Sequence, residues 1–419
     1  MNLKIRLTVL SFLQFFVWGA WLITIGVYWF NTQQWGGEEF GKVFATLGIA
    51  SLIMPAVTGI IADRWINAEK LFGILHILYG ITLCFLPSIT SPDNFFWVML
   101  LAMMFYMPTI SLSNSIAYYI LKNNNYDVVK VFPPIRVWGT IGFIVAMWIT
   151  NLTGNKDSGT QFYIAAVVAI SLGIYAFTLP KCPPQNLIPE NATLSEKLGL
   201  NAFSLFKDYK MALFFFFSMF LGAALQLTNM YGDIYLSDFK KIPEYADSFV
   251  VKRSTLIMSI SQISETLFIL AIPFALKKYG IKNVMLISMF AWVLRFGFFA
   301  YGGPAGFGLG LIILSCIVYG MAFDFFNISG SLFVETTTDF KIRSSAQGLF
   351  MMMTNGFGAI MGSLLSGWLI QEFFTHENGD KMWHEIWLVF AIYALVIALL
   401  FSVMFKHKHD PEAVADLTH

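Results

Sequence analysis

Long apolar runs separated by short polar segments set the pattern of this chain. A bilayer core of about 30 Å takes roughly 20 apolar residues per helix. On that basis spans are expected near Leu7–Trp29, Phe44–Ile61, Leu71–Leu86, Phe95–Tyr119, Ile135–Ile149 and Phe162–Leu179. Six more follow near Met211–Tyr235, Leu256–Leu276, Val284–Tyr301, Gly306–Leu332, Ala346–Ile370 and Trp383–Phe405. The alternation of a membrane β-strand is missing, so each reads as a helix. Lys4 and Arg6 ahead of an apolar run imitate a secretory signal. That run extends to Trp29, carries Trp18 and Trp21 and lacks a small-x-small cleavage site, so it reads as a retained first helix.

The expected fold is therefore an all-α integral membrane protein with twelve transmembrane helices in two six-helix bundles. The boundaries expected are an N-terminal bundle over 1–180, a linker over 181–210, a C-terminal bundle over 211–406 and a tail over 407–419. Pro180, Pro183, Pro184 and Pro189 break any helix early in the linker, while Leu194–Phe206 is expected as an amphipathic surface helix. Two six-helix halves joined by a long inner loop are the layout of major facilitator transporters. The count alone also suits other twelve-helix permeases. Lys and Arg concentrate on the segments that share a side with the N-terminus, which puts the linker and both termini in the cytoplasm.

Composition removes other classes. Charged residues make up 12% of the chain and hydrophobic ones 57%, whereas soluble domains carry roughly 25% charge. A soluble enzyme or a disordered chain is excluded. A net charge of +1 offers no basic face for nucleic acid. Cys84, Cys182 and Cys316 form neither a metal spacing nor a disulfide framework. No ATP-binding loop and no nucleophile–base motif is present, so the chain is not read as an enzyme.

Several motifs are specific. Gly59-Ile-Ile-Ala-Asp63-Arg64 joins spans two and three and resembles the G-x-x-x-D-R core of the major facilitator loop. Phe132-Pro-Pro-Ile-Arg136-Val-Trp-Gly-Thr140-Ile-Gly-Phe143 opens span five. Leu225-Gln226-Leu-Thr-Asn229 lies in span seven and Ser259-Ile-Ser-Gln262-Ile-Ser-Glu265 in span eight. Tyr319-Gly-Met-Ala-Phe323-Asp324-Phe-Phe-Asn327 occupies span ten, and Arg343-Ser-Ser-Ala-Gln347 leads into span eleven. Together they resemble the nucleoside:H⁺ symporter family of the major facilitator superfamily, the bacterial nucleoside and xanthosine permeases. The resemblance runs over nearly the whole chain. It implies import of nucleosides with protons across a bacterial inner membrane, by a monomer surrounded by lipid and without a cofactor. It also implies that Arg136, Thr140, Phe143, Gln226, Asn229, Gln262, Glu265, Tyr319, Phe323 and Asp324 serve nucleoside binding and coupling.

Read by themselves, these residues form stripes. Arg136, Thr140 and Phe143 follow i, i+4, i+7 on one face of span five. Gln226 with Asn229, and Gln262 with Glu265, are spaced i, i+3; Tyr319 and Phe323 are i, i+4 with Asp324 beside them. Intramembrane ionisable groups are costly and mark function by default, although a lone Gln or Asn is as often a hydrogen bond between helices. Amides and carboxylates suit ribose hydroxyls and base edges, and the aromatic rings suit base stacking. A sugar would suit the polar groups equally. A sugar:H⁺ symporter and a non-transporting ligand-binding membrane protein are therefore the rival readings.

Coupling needs a group that titrates, which Arg136 does not. Asp324 and Glu265 both qualify; Phe323, Phe325 and Phe326 around Asp324 favour it slightly. Arg295 is expected to pair with a carboxylate or to snorkel. His76 reads as a buried helix contact, and Met351-Met-Met as packing or lipid-facing surface. Gly139, Gly142, Gly320, Gly330, Gly356 and Gly358 permit close helix approach. Tyr231–Arg253 reads as the longest outer loop.

Overall fold

The computed structural model describes residues 2–185, 193, 199–339 and 342–408. These are almost entirely helical, and an isolated bridge between Thr375 and Lys381 is the sole β pairing among them. The chain divides into two compact units, Met1–Leu198 and Gly199–His419.

The first unit holds α1 (Leu3–Gly19), α2 (Gly37–Arg64), α3 (Ala68–Leu83), α4 (Pro92–Asn123), α5 (Val128–Leu152) and α6 (Thr160–Ala176). The first-turn backbone amides of a helix have no partner within it, and caps are supplied locally. Asn2, Ser91 and Asp127 accept hydrogen bonds from first-turn amides of α1, α4 and α5. Close approach follows from paired small residues. A Cβ on Gly73 would sit 2.8 Å from the Gly173 carbonyl oxygen, and one on Gly173 would sit 2.7 Å from that of Gly73, so α3 and α6 touch backbone to backbone. Leu7, Leu10, Phe72, Ile116, Ile120 and Leu172 form a core between α1, α3, α4 and α6. His76 is fully buried there, its Nδ1 3.2 Å from the Phe72 carbonyl oxygen.

The second unit holds α7 (Tyr209–Asp238), α8 (Ser254–Ile269), α9 (Ile272–Ala300) and α12 (Trp383–Met404). Between α9 and α12 lie α10, in two pieces (Gly306–Ala322 and Asp324–Thr337), and α11 (Arg343–Met351 and Ala359–Phe373, joined by a π-helical stretch, Met352–Gly358). Within α9, Gly280 has φ 75°, a left-handed conformation suited to glycine, so the chain turns there between 272–279 and 281–300. Among the described residues nine helices are long and apolar enough to cross a membrane. With α1, α6 and α8, which have 17, 17 and 16 residues, they match the twelve expected spans.

Several details differ from expectation. The first span is not one continuous helix: it breaks over 20–24, resumes at Ile25–Val27 and ends in a π turn at Tyr28–Thr32. The segment expected as an outer loop from Tyr231 begins as helix, because α7 continues to Asp238 and the Thr255 hydroxyl donates to the buried Asp233 carboxylate at 3.0 Å. Beyond it come two short 3-10 turns and a helix at Phe249–Lys252. The amphipathic helix expected at Leu194–Phe206 lies partly outside the described residues; Leu200–Lys207 is 3-10 helix. The tail beyond Lys408 lies outside them too.

Candidate functional site

In the first unit α5 carries Arg136, Thr140 and Phe143, all half-buried. Glycines set their surroundings. A Cβ on Gly19 would meet the Phe143 Cα at 2.8 Å, so α1 presses on the backbone that holds the Phe143 ring. Trp18, on the same turn of α1, stands edge-on to Phe143 with centroids 6.3 Å apart. The Arg136 guanidinium lies 4.0 Å over the Phe15 ring, a cation–π contact that suits a delocalised ion in a poorly hydrated site. Its charge also reaches Tyr106 and Tyr118 on α4. The buried Trp18 indole N–H has no acceptor among the described residues. Hydropathy ranks such a Trp with the core, so this donor beside Phe143 is not visible in the sequence.

In the second unit α7 supplies Gln226 and Asn229, and α8 supplies Gln262 and Glu265. The buried Oε1 atoms of Gln226 and Gln262 accept no hydrogen bond among the described residues. An amide oxygen left so forgoes roughly 1–3 kcal/mol unless a donor reaches it. Tyr319, on α10, is buried within electrostatic reach of Glu265, Arg295 and Asp324, so these four residues form one cluster. Gly320 makes the approach possible: a Cβ there would lie 2.6 Å from the Ser264 carbonyl carbon, which brings α8 against α10.

Span ten is discontinuous. Phe323 separates its two helices, and Asp324 opens the second of them, in its first turn. The Ser288 hydroxyl of α9 donates to the carbonyl of Ala322, satisfying an acceptor that the break releases. Asp324 is buried, with Phe325 and Phe326 beside it also buried. Broken helices near ionisable groups recur in secondary transporters.

Arg295 departs from both expectations. It is fully buried, it does not snorkel, and no carboxylate pairs with it among the described residues. Its donors go instead to hydroxyl and carbonyl oxygens. Asp233, fully buried on α7 one turn beyond Asn229, is a further intramembrane carboxylate; it falls in the stretch from Tyr231 expected as outer loop.

Gly59, Asp63 and Arg64 lie on the C-terminal part of α2, where an arginine complements the helix dipole. The following loop is fixed by a residue without a motif. Glu69, buried, accepts from the backbone N–H of Cys182 at 2.8 Å, while Ala68 N–H donates to the Cys182 carbonyl at 2.9 Å. Burial pushes the Cys182 thiol up to about 12. Arg343 pairs with Glu335 at 2.8 Å. Outside the spans, Lys241 bonds Asp380 at 2.8 Å and Asp238 at 3.5 Å, and the Trp383 indole donates to Asp238 at 3.0 Å. Neighbouring Lys381 is pushed down to about 8, chiefly by burial.

Comparison with known proteins agrees along the whole chain. Residues 1–410 match the family described as Nucleoside H+ symporter. The xanthosine permease of Escherichia coli (strain K12) is 53% identical over 416 residues, 99% of this chain and 98% of that protein. The nucleoside permease NupG of the same organism is 52% identical over 409 residues, 98% of this chain and 97% of that one. A crystal structure of the nucleoside transporter NupG superimposes with a TM-score of 0.90 at 52% identity, covering 97% of this chain and all of that one (100%).

Proposed function

The chain belongs to the nucleoside H⁺ symporter family, and we propose that it imports nucleosides together with protons by alternating access. The observation that carries the reading is the cluster of Tyr319, Arg295 and the carboxylates of Glu265 and Asp324, together with the amide oxygens on α7 and α8 that accept no hydrogen bond among the described residues. A nucleoside offers what such a cluster lacks, hydroxyl and N–H donors together with a flat ring. In this reading Phe143, Tyr319 and Phe323 pack the base. Arg136, Thr140, Gln226, Asn229, Gln262 and Glu265 hydrogen-bond ribose and base edges. Asp324 carries the proton, because it is buried among phenylalanines while Glu265 is half-buried. Gly59, Asp63 and Arg64 act in the conformational change rather than on the substrate.

The same reading places the chain in a bacterial inner membrane as a lipid-embedded monomer with both termini in the cytoplasm. The Lys/Arg distribution supports that orientation. It requires no cofactor, no nucleic acid and no catalysis; the proton is the coupling ion.

Proteoliposomes with an imposed pH gradient test the proposal. The wild-type protein is expected to accumulate uridine, adenosine or xanthosine, to ignore glucose and to lose accumulation with a protonophore. Asp324→Asn is expected to exchange nucleoside down its gradient while failing to accumulate it. Accumulation by Asp324→Asn, or uptake that survives the protonophore, would refute the assignment.

A further inference from the structure

A fully buried guanidinium without a carboxylate partner is among the costliest groups a membrane helix can hold. Arg295, on α9, is such a group. Its fork is partly occupied: Nη2 is buried and makes no hydrogen bond among the described residues, whereas the other two nitrogens are engaged. Nε donates to the Thr228 hydroxyl of α7 at 2.8 Å, and Nη1 donates to the Ser315 carbonyl of α10 at 2.9 Å and to the Ser261 hydroxyl of α8 at 3.2 Å. The Ser315 hydroxyl returns a bond to the Arg295 carbonyl at 2.8 Å. The guanidinium carbon lies 4.5 Å over the Tyr319 ring and 4.9 Å over that of Phe299. One side chain thus ties α9 to α7, α8 and α10.

The places where it ties them matter. Thr228 immediately precedes Asn229, and Ser261 immediately precedes Gln262. A helix has two soft ways to misplace a side chain, rotation about its axis and sliding along it. Each residue step turns about 100°, so a hydrogen bond to one residue fixes the direction in which its neighbour points. Holding Thr228 therefore orients Asn229, and holding Ser261 orients Gln262. The stacked guanidinium supports Tyr319 directly. Simple helix glue needs no charge; apolar residues of the same volume would pack these helices without the desolvation cost.

We infer that Arg295 is a positioning residue for nucleoside recognition: by anchoring Thr228, Ser261 and Tyr319 it fixes the rotation of α7 and α8 that aims Asn229 and Gln262 at the substrate. The inference rests on the nucleoside reading above. Lysine keeps the charge but not the planar fork, and cannot serve three acceptors in the same geometry.

The test is uridine and adenosine uptake into proteoliposomes with KM and Vmax separated, alongside thermal unfolding of the purified protein. Arg295→Lys and Arg295→Met are expected to raise KM about tenfold or more, with Vmax held within about threefold. Thr228→Val and Ser261→Ala are expected to raise KM by smaller factors and to add little to Arg295→Lys, since all act through one network. An unchanged KM in Arg295→Lys with a lowered unfolding midpoint would make Arg295 structural only and overturn the inference. A fall in Vmax at constant KM would overturn it too. If neither Arg295 variant folds, Thr228→Val and Ser261→Ala decide: wild-type KM in both sinks it. Failure of the wild-type protein to take up either nucleoside would instead sink the nucleoside reading itself.

Discussion

Gly142→Ala tests the α1–α5 contact on which the Phe143 ring depends. A Cβ added at Gly142 would lie 2.8 Å from the Phe12 carbonyl carbon and 3.1 Å from the Phe12 Cα, and closer still to the carbonyl oxygen. These are backbone atoms of a helix, so no rotamer change relieves the clash. Restoring ordinary separations near 3.4–4 Å requires the helices to part by on the order of 1 Å. Overpacking of this kind costs about 1–3 kcal/mol, equivalent to roughly 3–10 °C in the midpoint of a unit of this size. The displaced element is the turn that carries Phe143, so nucleoside affinity is expected to fall as well, by about tenfold. Gly297→Ala is the control: a Cβ there meets nothing within 4 Å, and alanine gains roughly 1 kcal/mol of helix propensity. Tryptophan fluorescence through a thermal ramp gives the midpoint, and calorimetry with uridine gives the affinity. A Gly142→Ala protein with the wild-type midpoint and affinity would mean that α1 and α5 do not meet as described.

Two further outcomes are expected. Gln226→Ala and Gln262→Ala each weaken nucleoside binding by roughly 1–3 kcal/mol, the loss of one buried partner, with unfolding midpoints unchanged; unaltered binding in both by calorimetry would make them helix contacts. Burial lowers Lys381 from 10.5 to about 8, so the folded state is penalised in full below pH 8 and the penalty fades as pH rises toward 10.5; thermal midpoints at pH 7 and 9.5 should rise in the wild-type protein and stay flatter in Lys381→Met, and identical slopes would refute this.

The twelve spans were legible because a membrane leaves few options: each crossing must satisfy its own backbone, so length and apolarity suffice. The stripes on α5, α7 and α8 were legible for the same reason, since helical spacing fixes which residues share a face. What hydropathy missed depends on partners in other helices. The break at Phe323 is offset partly by Ser288, 34 positions before the Ala322 carbonyl it satisfies, and a sliding window cannot see that hydroxyl. Asp233 falls where an outer loop is expected from Tyr231, and the partner that makes it a helix residue, the Thr255 hydroxyl, lies 22 positions later. Arg295 was read by its charge, which suggests a carboxylate, whereas its surroundings are hydroxyls, a carbonyl and two rings.

The placement of Asp324 at the start of a helix has consequences beyond its burial. The first-turn N–H groups of Asp324–Thr337 lack intrahelical acceptors, and the helix dipole there favours negative charge by about 0.3–1 kcal/mol when partly exposed. The burial of Asp324 itself works in the opposite sense, because a charged carboxylate is costly away from water. Neither influence is fixed, because both depend on the geometry of one break. A change in the angle at Phe323 would shift the first-turn amides and the Asp324 side chain relative to the helix before the break. A continuous helix would offer no such adjustment, since its amides at that position would already be bonded to carbonyls one turn earlier. The discontinuity would therefore let a carboxylate here respond to conformation, and it would give the proton-carrying role proposed for Asp324 a physical basis that the identity of residue 324 alone would not.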